Sequence, residues 1–79
     1  MSTPVNIIIE KLKELYRISL NRHYDIYILE YRLPELSIED IIISIFTLRE
    51  QRMVIGEEQY YHGGSIIKNF IITDKLINS

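Results

Sequence analysis

The second half of the chain holds a helical pattern that leads directly into two strand-like segments separated by glycine. Bulky aliphatic residues recur at helical spacing over 38–48, and from Met53 the period changes to two. The alternating segments 53–61 and 65–73 flank His62-Gly63-Gly64, which supplies the positive φ angles that a tight hairpin turn needs. This order of helix, strand, glycine turn and strand constrains the fold more than any other feature.

The start of this helix carries the clearest local signal in the chain. Ser37 and Asp40 form a variant capping box, and the acids Glu39 and Asp40 suit the positive end of a helix dipole. We therefore predict a helix over about residues 38–51. Its inward stripe is predicted to comprise Ile38, Ile41, Ile42, Ile45 and Leu48. Its outward face is predicted to present Asp40, Ser44, Thr47 and Gln51, with Ile43 at the edge.

The first third of the chain predicts another helix. Thr3 is a favourable N-cap, and Pro4 suits the first helical position because its missing N–H has no partner to lose there. An apolar face then repeats at the helical period through Val5, Ile8, Ile9, Leu12, Leu15, Tyr16 and Ser19. At the other end of the chain, Thr73-Asp74 could cap a final short turn.

The segment 24–33 is compatible with either a helix or a strand. As a helix it is apolar nearly all round, which requires burial on two sides. As a strand its aromatic and β-branched residues suit a sheet. We favour the helix, because Pro34 ends it and the short link to Ser37 then gives the spacing of a helix-turn-helix.

Size and composition limit the chain to one small domain spanning residues 1–79. It has 79 residues with no Cys, which excludes disulfides and thiolate metal sites. No stretch approaches the ~18 uninterrupted apolar residues that a membrane span needs. Glu10 and Lys11 follow only three isoleucines, which is unlike a signal peptide, so we expect a cytoplasmic protein. The formal net charge of −2 is a mild argument against a nucleic-acid partner, although local charge can override it.

No pattern of catalytic residues is present in the sequence. His23 and His62 are the only histidines and lie far apart, so we expect no metal. Glu57-Glu58 lies on a predicted exposed strand, and the sequence has no nucleophile motif or phosphate-binding glycine loop. We expect no enzymatic activity, no cofactor and no small-molecule substrate.

Three short motifs resemble those of winged-helix transcriptional regulators of the broad PadR/MarR type. The stretch 24–27 (Tyr-Asp-Ile-Tyr) is similar to the Gly-Tyr-(Glu/Asp)-Ile start of that family's second helix. Ile45-x-x-Leu48 followed by Val54-Ile55 resembles the end of its recognition helix and its first wing strand. The stretch 70–75 (Phe-Ile-Ile-Thr-Asp-Lys) resembles the end of its second wing strand. The likeness covers roughly residues 5–75.

The chain departs from this family in two places and resembles one group within it in composition. Arg52 stands where the family usually has a glycine before the wing, and the predicted outward face of the recognition helix has no Arg or Lys. The small size and the bias toward isoleucine, with 17 Ile and no Ala, resemble minimal winged-helix proteins of archaeal viruses and plasmids. For a viral protein, the expected location is the host cytoplasm.

The resemblance implies an α+β winged helix-turn-helix with three helices and a two-stranded wing over about residues 53–73. It implies a sequence-specific regulator of transcription that binds double-stranded DNA. Hydroxyl and amide side chains on the recognition helix can reach bases or phosphates, and an isoleucine can touch a thymine methyl. The wing can approach the minor groove or the backbone. The candidate DNA-binding residues are Ser37, Ile43, Ser44, Thr47, Gln51, Tyr61, His62 and Lys68.

Two other interpretations of these residues remain open. The outward face of the helix is also compatible with an ordinary solvated surface, and the hairpin with a simple turn. Winged helices also serve as protein-interaction adaptors that do not bind DNA, and the acidic balance of this chain suits that role.

A stripe on the first helix predicts a homodimer. Ile7 and Ile18 fall nearly in line on the otherwise polar side of the helix, where they flank Lys11 and Glu14. The alternative is two scattered surface isoleucines, which are common in monomers. A domain this small has little interior in which to bury so many aliphatic side chains, and two-fold pairing would improve binding to a palindrome.

Overall fold

The structure, a computed structural model of the chain, describes residues 2–79. Along these residues the elements are α1 (Pro4–Ser19), β1 (His23–Asp25), α2 (Ile26–Arg32), α3 (Ile38–Glu50), β2 (Val54–Ile55), β3 (Gln59–Tyr61), β4 (Gly64–Ile66), β5 (Asn69–Ile72) and α4 (Asp74–Ile77). An antiparallel sheet has the order β1-β5-β2, and β3 and β4 form a separate hairpin. The chain is therefore an α+β protein with a small antiparallel sheet.

The described residues form four helices, not the three that the sequence predicted. The additional helix, α4, occupies the place where only a final short turn was expected. It persists because Leu76 is 0% exposed and belongs to the main core. Arg22 also holds it from outside: its Nη2 lies 2.7 Å from Oδ1 of Asp74. This hydrogen bond raises the pKa of the Arg22 guanidinium above its ordinary value.

Local capping accounts for the start of α1. The backbone N–H of Asn6 donates to Oγ1 of Thr3 at 3.2 Å, and Pro4 occupies the first turn. Ile8 and Leu12 are fully buried, and α1 packs against α3 and α4. The helix ends at Leu20, whose backbone is left-handed with φ 57°.

The segment 24–33, which is compatible with either a helix or a strand, begins in a strand and continues as a helix. His23–Asp25 is a strand because it pairs with β5 in the register His23↔Ile71. Asp25 then ends the strand and caps α2, since its Oδ1 accepts from the N–H of Ile28 at 2.9 Å. The favoured helix is thus observed over Ile26–Arg32, and it begins later than expected.

Helix α3 lies at the centre of the core. Oγ of Ser37 accepts from the N–H of Asp40 at 3.1 Å, which is the predicted cap. Ile41, Ile45 and Leu48 are each 0% exposed. The helix packs against both α1 and α2, so its buried arc is wide.

The strand-like segments 53–61 and 65–73 are each interrupted. Their outer parts, β2 and β5, pair with each other in the register Val54↔Ile72 and belong to the three-stranded sheet. Their inner parts, β3 and β4, form the hairpin, which turns at His62-Gly63. Gly64, the first residue of β4, has φ 131°. Between β4 and β5 the side chain of Ile67 is buried in the core, with 1% of its surface exposed, and the strand is interrupted there. The predicted two-stranded wing is therefore a short hairpin attached to a separate sheet.

The helices within residues 2–79 include none that is long and apolar enough to cross a membrane.

Candidate nucleic-acid interface

The hairpin and the outer face of α3 enclose a groove of about 500 Å³. Its walls are formed by Tyr27, Glu39, Ile42, Ile43, Tyr61, Gly63, Gly64, Ser65 and Ile66. The groove lies beside the first half of α3, because Glu39, Ile42 and Ile43 are its helical wall. Three sequentially distant segments, the start of α2, the start of α3 and the hairpin, thus meet at one surface.

The wall of the groove that α3 contributes is acidic and apolar. Glu39 and Asp40 are exposed in the first turn, and Ile43 is 64% exposed in the next one. Glu50 is exposed at the far end of the helix. The only basic residue of α3 is Arg49, and its Nη1 lies 3.0 Å from Oε1 of Glu58. Helix α3 therefore offers no unpaired positive charge to a phosphate.

The hairpin wall has the opposite character. No Asp or Glu occurs between Gln59 and Thr73. Tyr60 and Tyr61 are 80% and 56% exposed, and His62 is exposed at the tip. Exposed aromatic side chains and a histidine are compatible with a sugar-phosphate surface. Carboxylates border them, since Tyr61 shares the groove with Glu39 and Tyr60 lies beside Glu57 and Glu58.

A lysine that follows the hairpin in the chain adds a positive charge near the groove. Nζ of Lys68 lies 5.6 Å from the ring centroid of Tyr27, within the range of a cation–π contact. Lys68 is half-buried, and its carbonyl accepts from the N–H of Ile26, which ties its backbone to the start of α2. The ammonium group is thus held on the α2 side of the groove.

Glu58 joins the hairpin to α3. Its Oε1 accepts from Arg49, and its Oε2 accepts from Oγ of Ser65 at 3.2 Å. One carboxylate therefore bonds to the helix and to the return strand of the hairpin. The sequence predicts Glu57-Glu58 on an exposed strand, but Glu58 is half-buried and lies between β2 and β3.

The structure corrects the prediction that Ser44 is an outward DNA contact. Ser44 is only 2% exposed, because α1 and α2 cover α3 from two directions and widen its buried arc. A side chain in the core cannot reach a duplex. Ser44 is therefore a packing residue.

The other predicted contacts on α3 have differing surroundings. Ser37 is exposed, but its hydroxyl oxygen accepts from the first turn of the helix. Thr47 is half-buried, and its Oγ1 donates to the carbonyl of Ile43 at 3.2 Å. Gln51 is exposed just after the helix. Of the α3 candidates, only Ile43 lies in the groove with Tyr61.

Seven residues of the groove are absent from the sequence-based candidates: Tyr27, Glu39, Ile42, Gly63, Gly64, Ser65 and Ile66. Tyr27 belongs to a segment that is apolar on both faces. This pattern is the one signal in the sequence that an apolar side chain of the segment is exposed at the surface. Glu39 was interpreted only as a helix-dipole residue. Both are exposed, and both become neighbours of the hairpin only in the folded chain.

Within residues 2–79 no cluster of three or more His, Asp or Glu side chains is arranged to hold a metal ion. Comparisons with known proteins gave no relatives: no protein-family model, no curated protein and no solved structure matches this chain.

Proposed function

We propose that the protein is a winged helix-turn-helix regulator of transcription that binds double-stranded DNA in the cytoplasm. In this proposal α2 and α3 are the helix-turn-helix, α3 is the recognition helix, and the β3–β4 hairpin is the wing. No catalytic step and no cofactor is involved. The groove between α3 and the hairpin is where the duplex backbone would lie.

The observation that carries the proposal is the order of the elements together with the place of the hairpin. The chain runs α1-β1-α2-α3-β2-hairpin-β5, and β1 completes a sheet with the order β1-β5-β2. A short link joins α2 to α3, as in helix-turn-helix proteins. The hairpin then projects beside the exposed start of α3.

The charges favour a binding mode in which the wing contributes more than the recognition helix. Glu39 and Asp40 repel phosphate, whereas the hairpin presents tyrosines and a histidine and has Lys68 close by. We therefore expect few phosphate contacts and modest affinity. Affinity should also decrease with salt, by about 0.9 in log K per log unit of salt for each phosphate contact.

Fluorescence anisotropy with a random duplex at low salt tests the proposal. Tyr61→Ala should weaken binding roughly tenfold, which is the effect of losing about 1.4 kcal/mol. Tyr31→Ala is its control, because Tyr31 is 78% exposed on α2 and does not line the groove.

The salt dependence of binding tests the role of Lys68. Lys68→Gln should make the slope of log K against log salt shallower by the amount expected for about one phosphate contact. Lys75→Gln on α4 should leave it unchanged. Absence of binding at 50 mM salt and micromolar protein, concentrations at which ~10⁻⁶ M non-specific complexes form, would reject DNA binding.

One observation favours a second function, a protein-interaction module. The groove is mostly apolar, with Ile42, Ile43 and Ile66 in its walls, and Glu39 lies at its edge. An amphipathic peptide with lysines or arginines beside its apolar face would complement both properties.

A single substitution separates the two functions by the sign of its effect. Glu39→Gln removes a negative charge from the groove without changing the size of the side chain. It should strengthen binding to a duplex, because a repulsion is lost. It should weaken binding to a basic amphipathic peptide, because an attraction is lost. Glu35→Gln, also exposed but outside the groove, is the control.

A further inference from the structure

Four residues form a self-complementary stripe along α1. Ile7, Lys11, Glu14 and Ile18 lie within a narrow arc of the helix, because their spacings of four, three and four residues follow its turns. Ile7 and Ile18 are the ends of the stripe, about three turns apart. Lys11 and Glu14 lie between them, and their charges are opposite.

The stripe lies to one side of the packed face of α1. Ile8 and Leu12 point into the core, whereas Ile18 is 77% exposed and Ile7 is half-buried at the edge of the core. Nζ of Lys11 lies 3.2 Å from Oε2 of Glu14, with side chains 25% and 50% exposed. Beyond Ile18 the next aliphatic residue, Leu20, is 71% exposed. The surface thus has an apolar group at each end and an ion pair in the middle.

The spacing gives this surface two-fold symmetry when α1 is paired with an antiparallel copy of itself. The midpoint between Ile7 and Ile18 is also the midpoint between Lys11 and Glu14. In an antiparallel pair each Ile7 therefore lies opposite the other copy's Ile18. Each Lys11 likewise lies opposite the other copy's Glu14. Apolar groups meet apolar groups, and each charge meets its opposite.

We propose that a second copy of this chain docks antiparallel on the Ile7–Lys11–Glu14–Ile18 stripe of α1 to form a homodimer. The interface is isologous, as two-fold dimers require. Parallel pairing is disfavoured, because it would place Lys11 against Lys11 and Glu14 against Glu14. The proposal does not depend on DNA binding, since the stripe and the groove share no residue.

Sedimentation equilibrium of the full chain is the first test. The unmodified protein should be a dimer at ~100 µM, where a complex with roughly micromolar Kd is nearly saturated. Ile18→Lys should give a folded monomer, because an exposed side chain is changed and the core is not. Ile55→Lys is the matched control, with the same substitution at a position of β2 that is 62% exposed and lies outside both the stripe and the groove. A monomeric unmodified protein, or a dimeric Ile18→Lys variant, would overturn the proposal.

Charge reversal tests the complementarity of the pair. Lys11→Glu should weaken the dimer roughly tenfold or more, because four carboxylates then face one another. The double variant Lys11→Glu/Glu14→Lys should restore it, since the two-fold arrangement again pairs opposite charges. Arg17→Glu makes the same charge change on α1 outside the stripe and should leave the dimer unaffected. Failure of the double variant to recover would contradict the proposed register.

Cysteine crosslinking fixes the direction of pairing, and the chain has no native cysteine. The Ile7→Cys/Ile18→Cys variant should form a covalent dimer under mild oxidation. Its two thiols within one chain are too far apart to bridge, at about 16 Å along the helix. Ile18→Cys alone should not crosslink. The reverse result, with Ile18→Cys alone crosslinking efficiently, would establish parallel pairing and reject the antiparallel register. DNA affinity is measured separately, so failure of either proposal leaves the other testable.

Discussion

The core around α3 and the β3–β4 hairpin are neighbours along the chain, but different interactions hold them. In the core, Leu48, Val54 and Ile72 are at most 1% exposed. In the hairpin, by contrast, all three residues of β3 are exposed. The β3–β4 backbone pairing holds the hairpin together, and its attachment to the rest of the chain includes the packing of Ile66 against the core and the hydrogen bonds of Glu58. Stability is thus concentrated in the core, and the residues free to meet a partner are concentrated in the hairpin.

The largest effect expected from this difference is that of Leu48→Ala. Leu48 is 0% exposed, and its removal should lower the free energy of unfolding by about 2–5 kcal/mol. Urea denaturation followed by circular dichroism measures this change. Ile43→Ala on the exposed side of the same helix should stay within about 0.5 kcal/mol. If Leu48→Ala does not fold, Ile45→Val should still show a loss of about 0.5–1.5 kcal/mol. Equal effects of Leu48→Ala and Ile43→Ala would mean that α3 is not packed as described.

Two glycines extend the comparison, because glycine-to-alanine substitution should destabilise the protein at Gly56 and have no effect at Gly63. A Cβ on Gly56 would lie 2.5 Å from Cγ2 of Ile67 and 2.8 Å from the carbonyl oxygen of Asn69. Gly56→Ala should therefore destabilise the protein by about 1–3 kcal/mol. A Cβ on Gly63 would meet no atom within 4 Å. Thermal unfolding of Gly63→Ala should match that of the unmodified protein, and a large loss there would show that the hairpin is packed after all.

Local signals in the sequence were sufficient to predict much of the core. Ser37 caps α3 through a contact only three residues away, and Thr3 caps α1 in the same manner. The departure from the family pattern at Arg52 also has a structural counterpart. Arg52 has φ 60°, the left-handed conformation that glycine adopts without strain.

Contacts between distant segments explain what the sequence did not predict. The strand His23–Asp25 exists because β5 lies beside it, and nothing local distinguishes it from the start of a helix. Ser44 is buried because two other helices cover α3, whereas a helical wheel drawn for α3 alone places it outward. The groove likewise combines Tyr27 with Tyr61, whose proximity depends on the whole fold.

A smaller effect on the free energy of unfolding is expected at Arg52, which lies between α3 and β2. Its left-handed backbone costs a non-glycine residue about 1–2 kcal/mol. Arg52→Gly should therefore raise the free energy of unfolding, by about 1 kcal/mol after the greater freedom of glycine in the unfolded chain is included. Arg52→Ala is the control, because it removes the same side chain and keeps the strain. In chemical denaturation, Arg52→Gly should have a higher free energy of unfolding than both the unmodified protein and Arg52→Ala. If Arg52→Gly is instead the least stable of the three, backbone strain at this position is excluded.

The smallest effect on global stability is expected where the hairpin meets the helix. Glu58→Gln keeps the shape of the side chain but removes the charge that holds Arg49 at 3.0 Å. Because both side chains are partly exposed, the global loss should be below about 1 kcal/mol. Glu57→Gln is the matched control, since Glu57 is exposed and forms no salt bridge within residues 2–79.

The local consequence of Glu58→Gln should be larger than the global one. The hairpin loses part of its attachment while the core keeps all of its contacts, so the amides of residues 59–66 should exchange with deuterium several-fold faster. The amides of residues 41–48 should exchange at their original rate, because they open only with the whole domain. Hydrogen exchange followed by NMR measures both sets in one experiment. If both sets accelerate together, the hairpin and the core unfold as one unit, and the separation between them does not hold.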